Sequence, residues 1–263
     1  MSQVENFTAQ AIMPEFLDIA GARTAYRRKG AGEPVLFLNG AGLTKLWFPF
    51  FDALSRETDV IVPEHPGFGD SPRPPWFRGL SDLIIHYHEM IRRLELQRVH
   101  LVGFSLGGWV AAELASFYPD MVASLTLMSP IGLRAKNPGP DIFQMGDELS
   151  QFLCKYPDRL PAAPALRSRQ EIAAAYAESS AAALYMWTPR YNVQLARRLA
   201  RFSAPALVLR GTEDRLVPEE TALRYVEALP NVRDVVLPDS GHAVFLDQPH
   251  LAADAVLEHI RGI

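Results

Sequence analysis

Ser105 sits in the run Val99-His100-Leu101-Val102-Gly103-Phe104-Ser105-Leu106-Gly107-Gly108, a G-x-S-x-G placed directly after an apolar run and directly before a helical pattern. A serine there is offered to solvent by a tight, strained turn, which the glycines on either side are expected to permit. It also opens a helix, so the Leu106 amide can point at an oxyanion forming beside the hydroxyl. Two incidental glycines around a helix-capping serine would give the same letters, but not the strand-turn-helix context.

A serine hydroxyl is a weak nucleophile near neutral pH and needs a base within hydrogen-bond reach, a task suited to imidazole. Of the seven histidines, His242 follows a short apolar run, Val235–Leu237, and a Pro-Asp-Ser-Gly loop, so it can stand at the same sheet edge as Ser105. His86 and His88 fall within a helical pattern, His100 begins a strand, and His250 and His259 belong to the last helix; only His65 offers a second loop position. The acid that orients the base must end another strand, as Asp214 does after Ala206–Leu209. The run Met128-Ser129-Pro130 carries no carboxylate that would compete for that role.

These residues need a scaffold that brings distant loops to one edge. Val35–Leu38 is continuously apolar, and Val60–Val62, Val99–Gly103, Leu125–Met128 and Ala206–Leu209 are wholly or mostly so, as strands of a parallel sheet covered on both faces must be. They alternate with helical patterns at Leu80–Leu94, Leu106–Tyr118, Glu219–Leu229 and Gln248–Ile260. Phe16–Ile19 and Thr24–Arg27 flank Gly21 as an edge hairpin. The fold class is therefore α/β: a mostly parallel sheet of about eight strands, with helices on both faces and right-handed crossovers. Residues 1–130 and 199–263 form the expected core domain. Residues 131–198 have no good strand, are rich in Ala, Met and aromatic side chains, and are expected to be a helical cap or lid insertion.

Totals narrow the function. The chain has 263 residues with 48% hydrophobic and 21% charged side chains, an ordinary composition for one large core. A net charge of −4 and the lack of any long basic run argue against a nucleic-acid partner. A single cysteine, Cys154, rules out an internal disulfide, and no Cys/His cluster suggests a metal. The stretch Met1–Phe16 lacks the basic and apolar regions of a signal peptide, and no apolar run is long enough to span a bilayer. The expectation is a cytoplasmic protein with no membrane partner, a monomer or homodimer.

Taken together, the motifs resemble the α/β-hydrolase fold superfamily over nearly the whole chain, in its serine-nucleophile branch of esterases, lactonases and carbon-carbon bond hydrolases. Leu38-Asn39-Gly40-Ala41-Gly42 is similar to the family's His-Gly oxyanion loop, with Asn39 in place of histidine. Glu64-His65-Pro66-Gly67-Phe68-Gly69-Asp70-Ser71 is similar to its Asp-x-Pro-Gly-x-Gly-x-Ser loop. The Ser105 elbow, Gly211-Thr212-Glu213-Asp214 and Ser240-Gly241-His242 follow in the family's order. The resemblance implies a Ser105–Asp214–His242 triad, an oxyanion hole of the Ala41 and Leu106 backbone amides, and no cofactor. It points to cleavage of a small, largely apolar carboxylic ester or lactone through an acyl-enzyme. Two alternatives stay open: a carbon-carbon bond hydrolase of the meta-cleavage-product type, with Arg190 or Trp187 as a lid contact, and a small-ligand receptor on the same fold. Phe104, Leu43, Met186, Trp187, Val217 and Val244 are the expected pocket residues, although large apolar side chains of the insertion are as readily its own packing face.

Overall fold

The computed structural model describes residues 12–146, 148–160, 168–187 and 189–263. Strands β1 (Glu15–Ile19), β2 (Ala22–Lys29), β3 (Pro34–Leu38), β4 (Asp59–Pro63), β5 (Val99–Phe104), β6 (Val122–Met128), β7 (Ala206–Gly211) and β8 (Val232–Leu237) make one eight-stranded sheet in the order β1-β2-β4-β3-β5-β6-β7-β8. β1 and β2 pair antiparallel, β2 meets β4 antiparallel, and every later pairing is parallel. The β1–β2 turn uses Gly21 at φ +83°, its N–H bonded to Asp18 Oδ1 at 2.9 Å.

The helices are α1 (Pro49–Leu54), α2 (Leu80–Arg93), α3 (Leu106–Phe117), α4 (Leu149–Leu153), α5 (Arg169–Met186), α6 (Leu195–Leu199), α7 (Glu219–Ala228), α8 (Val244–Asp247) and α9 (Pro249–Arg261). Strand residues alternate between two cores, one on each face of the sheet. Leu36, Leu38, Leu101, Leu125 and Val208 face α2, α3 and α7. Val35, Phe37, Val102, Leu207 and Leu209 face α1, α8 and α9, where Phe37, Phe50, Phe51 and Phe245 pack edge to face. With apolar layers on both sides, neither parity of a strand can be polar, which is why these strands read as continuous apolar runs.

Two features differ from the sequence reading. β8 starts three residues earlier than Val235, because at the sheet edge Arg233 and Asp234 project to solvent and break the apolar signal. α1 and α8, six and four residues long, are too short to show a helical period. Between β6 and β7 the described residues carry α4, α5 and α6 and two 3-10 turns, Ile142–Gln144 and Pro157–Arg159. Residues 147, 161–167 and 188 of that stretch, and residues 1–11 of the N-terminal one, lie outside the described residues. α5 opens on a reciprocal Ser168–Glu171 cap, runs exposed for most of its length, and buries Ala181, Ala182, Tyr185 and Met186 at its end. Among the described residues no helix is long and apolar enough to cross a membrane.

Candidate active site

Ser105 joins β5 to α3 with φ +52°. A left-handed conformation at a residue with a side chain costs roughly 1–3 kcal/mol and persists only where its surroundings hold it. They do: the Ser105 N–H donates to the Met128 carbonyl at 3.0 Å, and its own carbonyl accepts from Trp109 at 3.1 Å and Ile131 at 3.3 Å. The glycines were expected to supply the turn's conformation, but the strain sits on the serine. Gly103 and Gly107 have no positive φ; a Cβ on Gly103 would overlap the Gly107 carbonyl, and one on Gly107 would overlap the carbonyls of Leu38 and Asn39. They allow strand, helix and the loop after β3 to approach one another.

His242 follows β8 and is almost wholly buried, with its Nδ1 2.9 Å from Asp214 Oδ2. Asp214 follows β7; its Oδ1 accepts the Leu216 and Val217 amides at 2.9 Å each, which leaves Oδ2 for the imidazole. Burial alone would raise this carboxyl. The His242 charge and ring N–H, together with the two amides, outweigh it, and the net direction is downward. A carboxylate can only accept, so Nδ1 carries the proton and Nε2 is left to act as a base. Ser105 and His242 both open onto one cavity of about 320 Å3.

The loop after β3 brings Ala41 to that cavity, and Leu106 is the first residue of α3, ahead of the helix's first hydrogen bond. Asn39, in the place of the family's histidine, fixes the loop. Its Oδ1 accepts the Gly40 N–H at 2.9 Å and its Nδ2 donates to the Leu43 carbonyl at 3.0 Å. Its backbone carbonyl lies 2.8 Å from Nε2 of His65, whose Nδ1 is 2.5 Å from the Tyr87 hydroxyl. The carbonyl must accept, so His65 is protonated on Nε2 and receives the Tyr87 O–H on Nδ1. Burial pushes His65 down to about 4, which keeps it neutral. Next to it the buried Glu64 pairs with Arg27 at 2.6 Å and accepts the Asp70 N–H. His65 is thus a strut beneath the loop after β3 and does not line the cavity.

The His242 loop is tied to the end of α4 and to the residues that follow it. The Ala243 N–H donates to the Leu153 carbonyl at 2.7 Å, and the buried Asp247 carboxylate accepts N–H groups from Gly241 at 2.8 Å, Lys155 at 2.9 Å and Tyr156 at 3.2 Å. Lys155 Nζ reaches Glu213 at 2.5 Å and Asp239 at 2.7 Å.

Of the expected pocket residues, Phe104, Met186 and Val217 line the cavity, while Leu43, Trp187 and Val244 do not. Leu43 packs on the core at the α1/α9 face, and Val244 is buried within that core. Trp187 is 59% exposed, with its ring against Phe143. The rest of the wall comes mainly from the segment after β6 (Ile131, Leu133, Arg134, Lys136), from Leu149 and Leu153 of α4, and from Arg190 and Tyr191. Apart from Arg190, sequence reasoning passed these over, since irregular segments and a five-residue helix carry no periodicity to read, and it passed over Tyr87 and Asp247 because their roles depend on contacts with residues distant in sequence. Among the described residues no three His, Cys, Asp or Glu side chains gather as metal ligands.

Comparison with known proteins adds to this geometry. A family model described as the alpha/beta hydrolase fold matches residues 33–249. A putative carbamate hydrolase RutD from Pseudomonas savastanoi pv. phaseolicola is 30% identical over 243 residues, 85% of this chain and 92% of that protein. The 2-hydroxy-6-oxo-6-(2'-aminophenyl)hexa-2,4-dienoic acid hydrolase of Metapseudomonas resinovorans is 25% identical over 289 residues, 98% of this chain and 94% of that protein. Among solved structures, a thermophilic esterase from Thermogutta terrifontis with malate bound superposes with a TM-score of 0.74 at 25% identity, covering 95% of this chain and 99% of that one.

Proposed function

Because the chain belongs to the α/β-hydrolase fold family and is a hydrolase, we propose that Ser105 is its nucleophile and that it cleaves a small carboxylic ester or lactone through an acyl-enzyme. The observation that carries this reading is the Asp214–His242 pair at 2.9 Å, opening with Ser105 onto a single largely apolar cavity. His242 Nε2 takes the Ser105 proton as Oγ adds to the substrate carbonyl, and the negative oxygen is met by the Ala41 and Leu106 amides. The protonated imidazole then gives its proton to the leaving alcohol. Water, activated by the same ring, attacks the acyl-enzyme and releases the acid. Asp214 holds the ring's tautomer and balances its charge throughout.

A second reading, cleavage of a carbamate or of a carbon-carbon bond, is favoured by the relatives, one named for a carbamate and another for a 2-hydroxy-6-oxo-dienoic acid. The same serine and histidine serve either bond, and the leaving group decides between them. One test addresses the shared machinery first. A fluorophosphonate probe should add once to wild type, read by intact mass, and not to Ser105→Ala, with p-nitrophenyl acetate and butyrate turnover lost in the same variant. Labelling or turnover that survives in Ser105→Ala removes the serine from the mechanism. Wild type that is inert to both leaves the receptor reading in place.

A further inference from the structure

The cavity wall has an unusual charge balance. The chain carries 30 Asp and Glu against 26 Lys and Arg, yet among the described residues those lining the Ser105 cavity include Arg134, Lys136 and Arg190 and no carboxylate. Arg190 is partly engaged, donating to the Pro140 carbonyl at 3.3 Å and lying 4.0 Å from Asp141. Arg134 and Lys136 are held more loosely, the Lys136 side chain acting on Glu220 only through its charge. Among the described residues neither makes an ion pair, and the Arg134 guanidinium lies over the Tyr191 ring at 5.5 Å. The acid nearest in the hydrogen-bond pattern, Glu220, already accepts the Lys136 backbone N–H at 2.8 Å and pairs with Arg224.

The backbone that presents these cations is fixed. Gly132 and Tyr191 form a parallel bridge, and the Asn192 N–H donates to the Gly132 carbonyl at 2.9 Å. The Tyr225 hydroxyl holds the Ile131 carbonyl at 2.6 Å. A Cβ on Gly132, at φ +108°, would overlap the Trp109 ring, so the segment is seated directly on α3. Two cations that make no ion pair among the described residues, on a held segment beside an apolar wall of Ile131, Leu133, Ile142, Leu149 and Leu216, match a molecule with an apolar stem and an anionic end.

We propose that Arg134 and Lys136 form a carboxylate subsite at the Ser105 cavity, so that the substrates preferred are esters bearing a free carboxylate. A guanidinium offers a carboxylate two parallel N–H donors, and an ammonium beside it adds charge without a fixed geometry. This rests on the hydrolase reading above and names its substrate class.

The test uses two esters of nearly one shape, monomethyl glutarate and dimethyl glutarate, of which only the first is anionic. Wild type should show a kcat/KM ratio of anionic to neutral ester about tenfold higher than Arg134→Ala/Lys136→Ala, with a preference that shrinks as salt is raised. Melting temperatures of both proteins check that the exposed substitutions leave the fold intact. Equal cleavage of the two esters by wild type, or a ratio unmoved by the double variant, overturns the subsite and leaves the hydrolase reading standing. If wild type cleaves neither ester, that reading fails for this class and binding decides the subsite. Calorimetric titration of Ser105→Ala should then show tighter binding of the monoester, lost when Arg134→Ala/Lys136→Ala is added; equal or absent binding of the two overturns it.

Discussion

The two sides of the Ser105 cleft are built differently. Around the loop after β3, the proposed oxyanion loop, Asn39, Glu64, His65 and Tyr87 are buried, and each is hydrogen-bonded within the protein. Opposite, on the segments that follow β6 and α5, Arg134 and Lys136 are exposed, and Arg190 makes a long bond to the Pro140 carbonyl and a long ion pair with Asp141. The first arrangement costs much to disturb, because losing one partner strands another in a dry interior. The second tolerates change, since exposed charges are screened and carry little stability. Fixed donors suit a charge that develops in the same place for every substrate, and an adaptable wall suits groups that differ from one substrate to the next. Substitutions on the first side should therefore act on kcat and stability, and those on the second on substrate choice.

The comparison is broken most forcefully at the triad. Asp214→Asn should leave the fold intact and lower kcat by about 10^3 to 10^4, because the amide removes the charge and no longer enforces Nδ1 protonation; steady-state kinetics and circular dichroism check both halves. His65→Ala comes next. It leaves the Asn39 carbonyl and the Tyr87 hydroxyl without their partner, and should cost about 2–4 kcal/mol in urea unfolding. It should also lower kcat about tenfold or more with KM nearly unchanged. A change confined to KM would place the oxyanion loop's support elsewhere.

A milder probe is pH. Burial pushes His65, His86 and His259 each down to about 4. The unfolded chain then binds protons that the folded one refuses, so stability is complete above about 6.5 and is lost as pH falls toward 4. Melting temperature should drop through that window, and less steeply in His65→Gln after allowing for its lower starting point. Smallest of all is Glu178→Gln on α5. Its carboxylate meets the Thr44 hydroxyl at 3.3 Å and the Gly69 amide at 3.3 Å, while burial raises its pKa. The amide should change stability by less than about 1 kcal/mol and leave kcat alone. A large loss there would erase the contrast between the two sides.

The fold was legible because a sheet covered on both faces forces apolar runs, and because the elbow, Asp214 and His242 each follow one of those runs. What stayed hidden depends on contacts between distant residues. Nothing in the spacing of Asn39, His65 and Tyr87 announces that they meet. The role of Gly103 and Gly107 was misjudged because a glycine required for close approach is written with the same letter as one required for its φ. Leu43, Trp187 and Val244 were apolar and near the right motifs, but in a loop or a short helix proximity in sequence does not say which way a side chain turns.

Leu153 has two attachments, since it walls the cavity and its carbonyl holds the Ala243 N–H beside the His242 imidazole. With Asp247 clamping Gly241, Lys155 and Tyr156 together, the floor of the cavity and the perch of His242, the proposed base, are a single mechanical part. Linkage between them runs both ways: whatever free energy a well-fitting ligand contributes toward seating the base is returned as tighter binding when the base is already seated. An ill-fitting molecule that displaces Leu153 would spoil proton transfer in the same movement, so the enzyme can reject it by reacting slowly even where it binds.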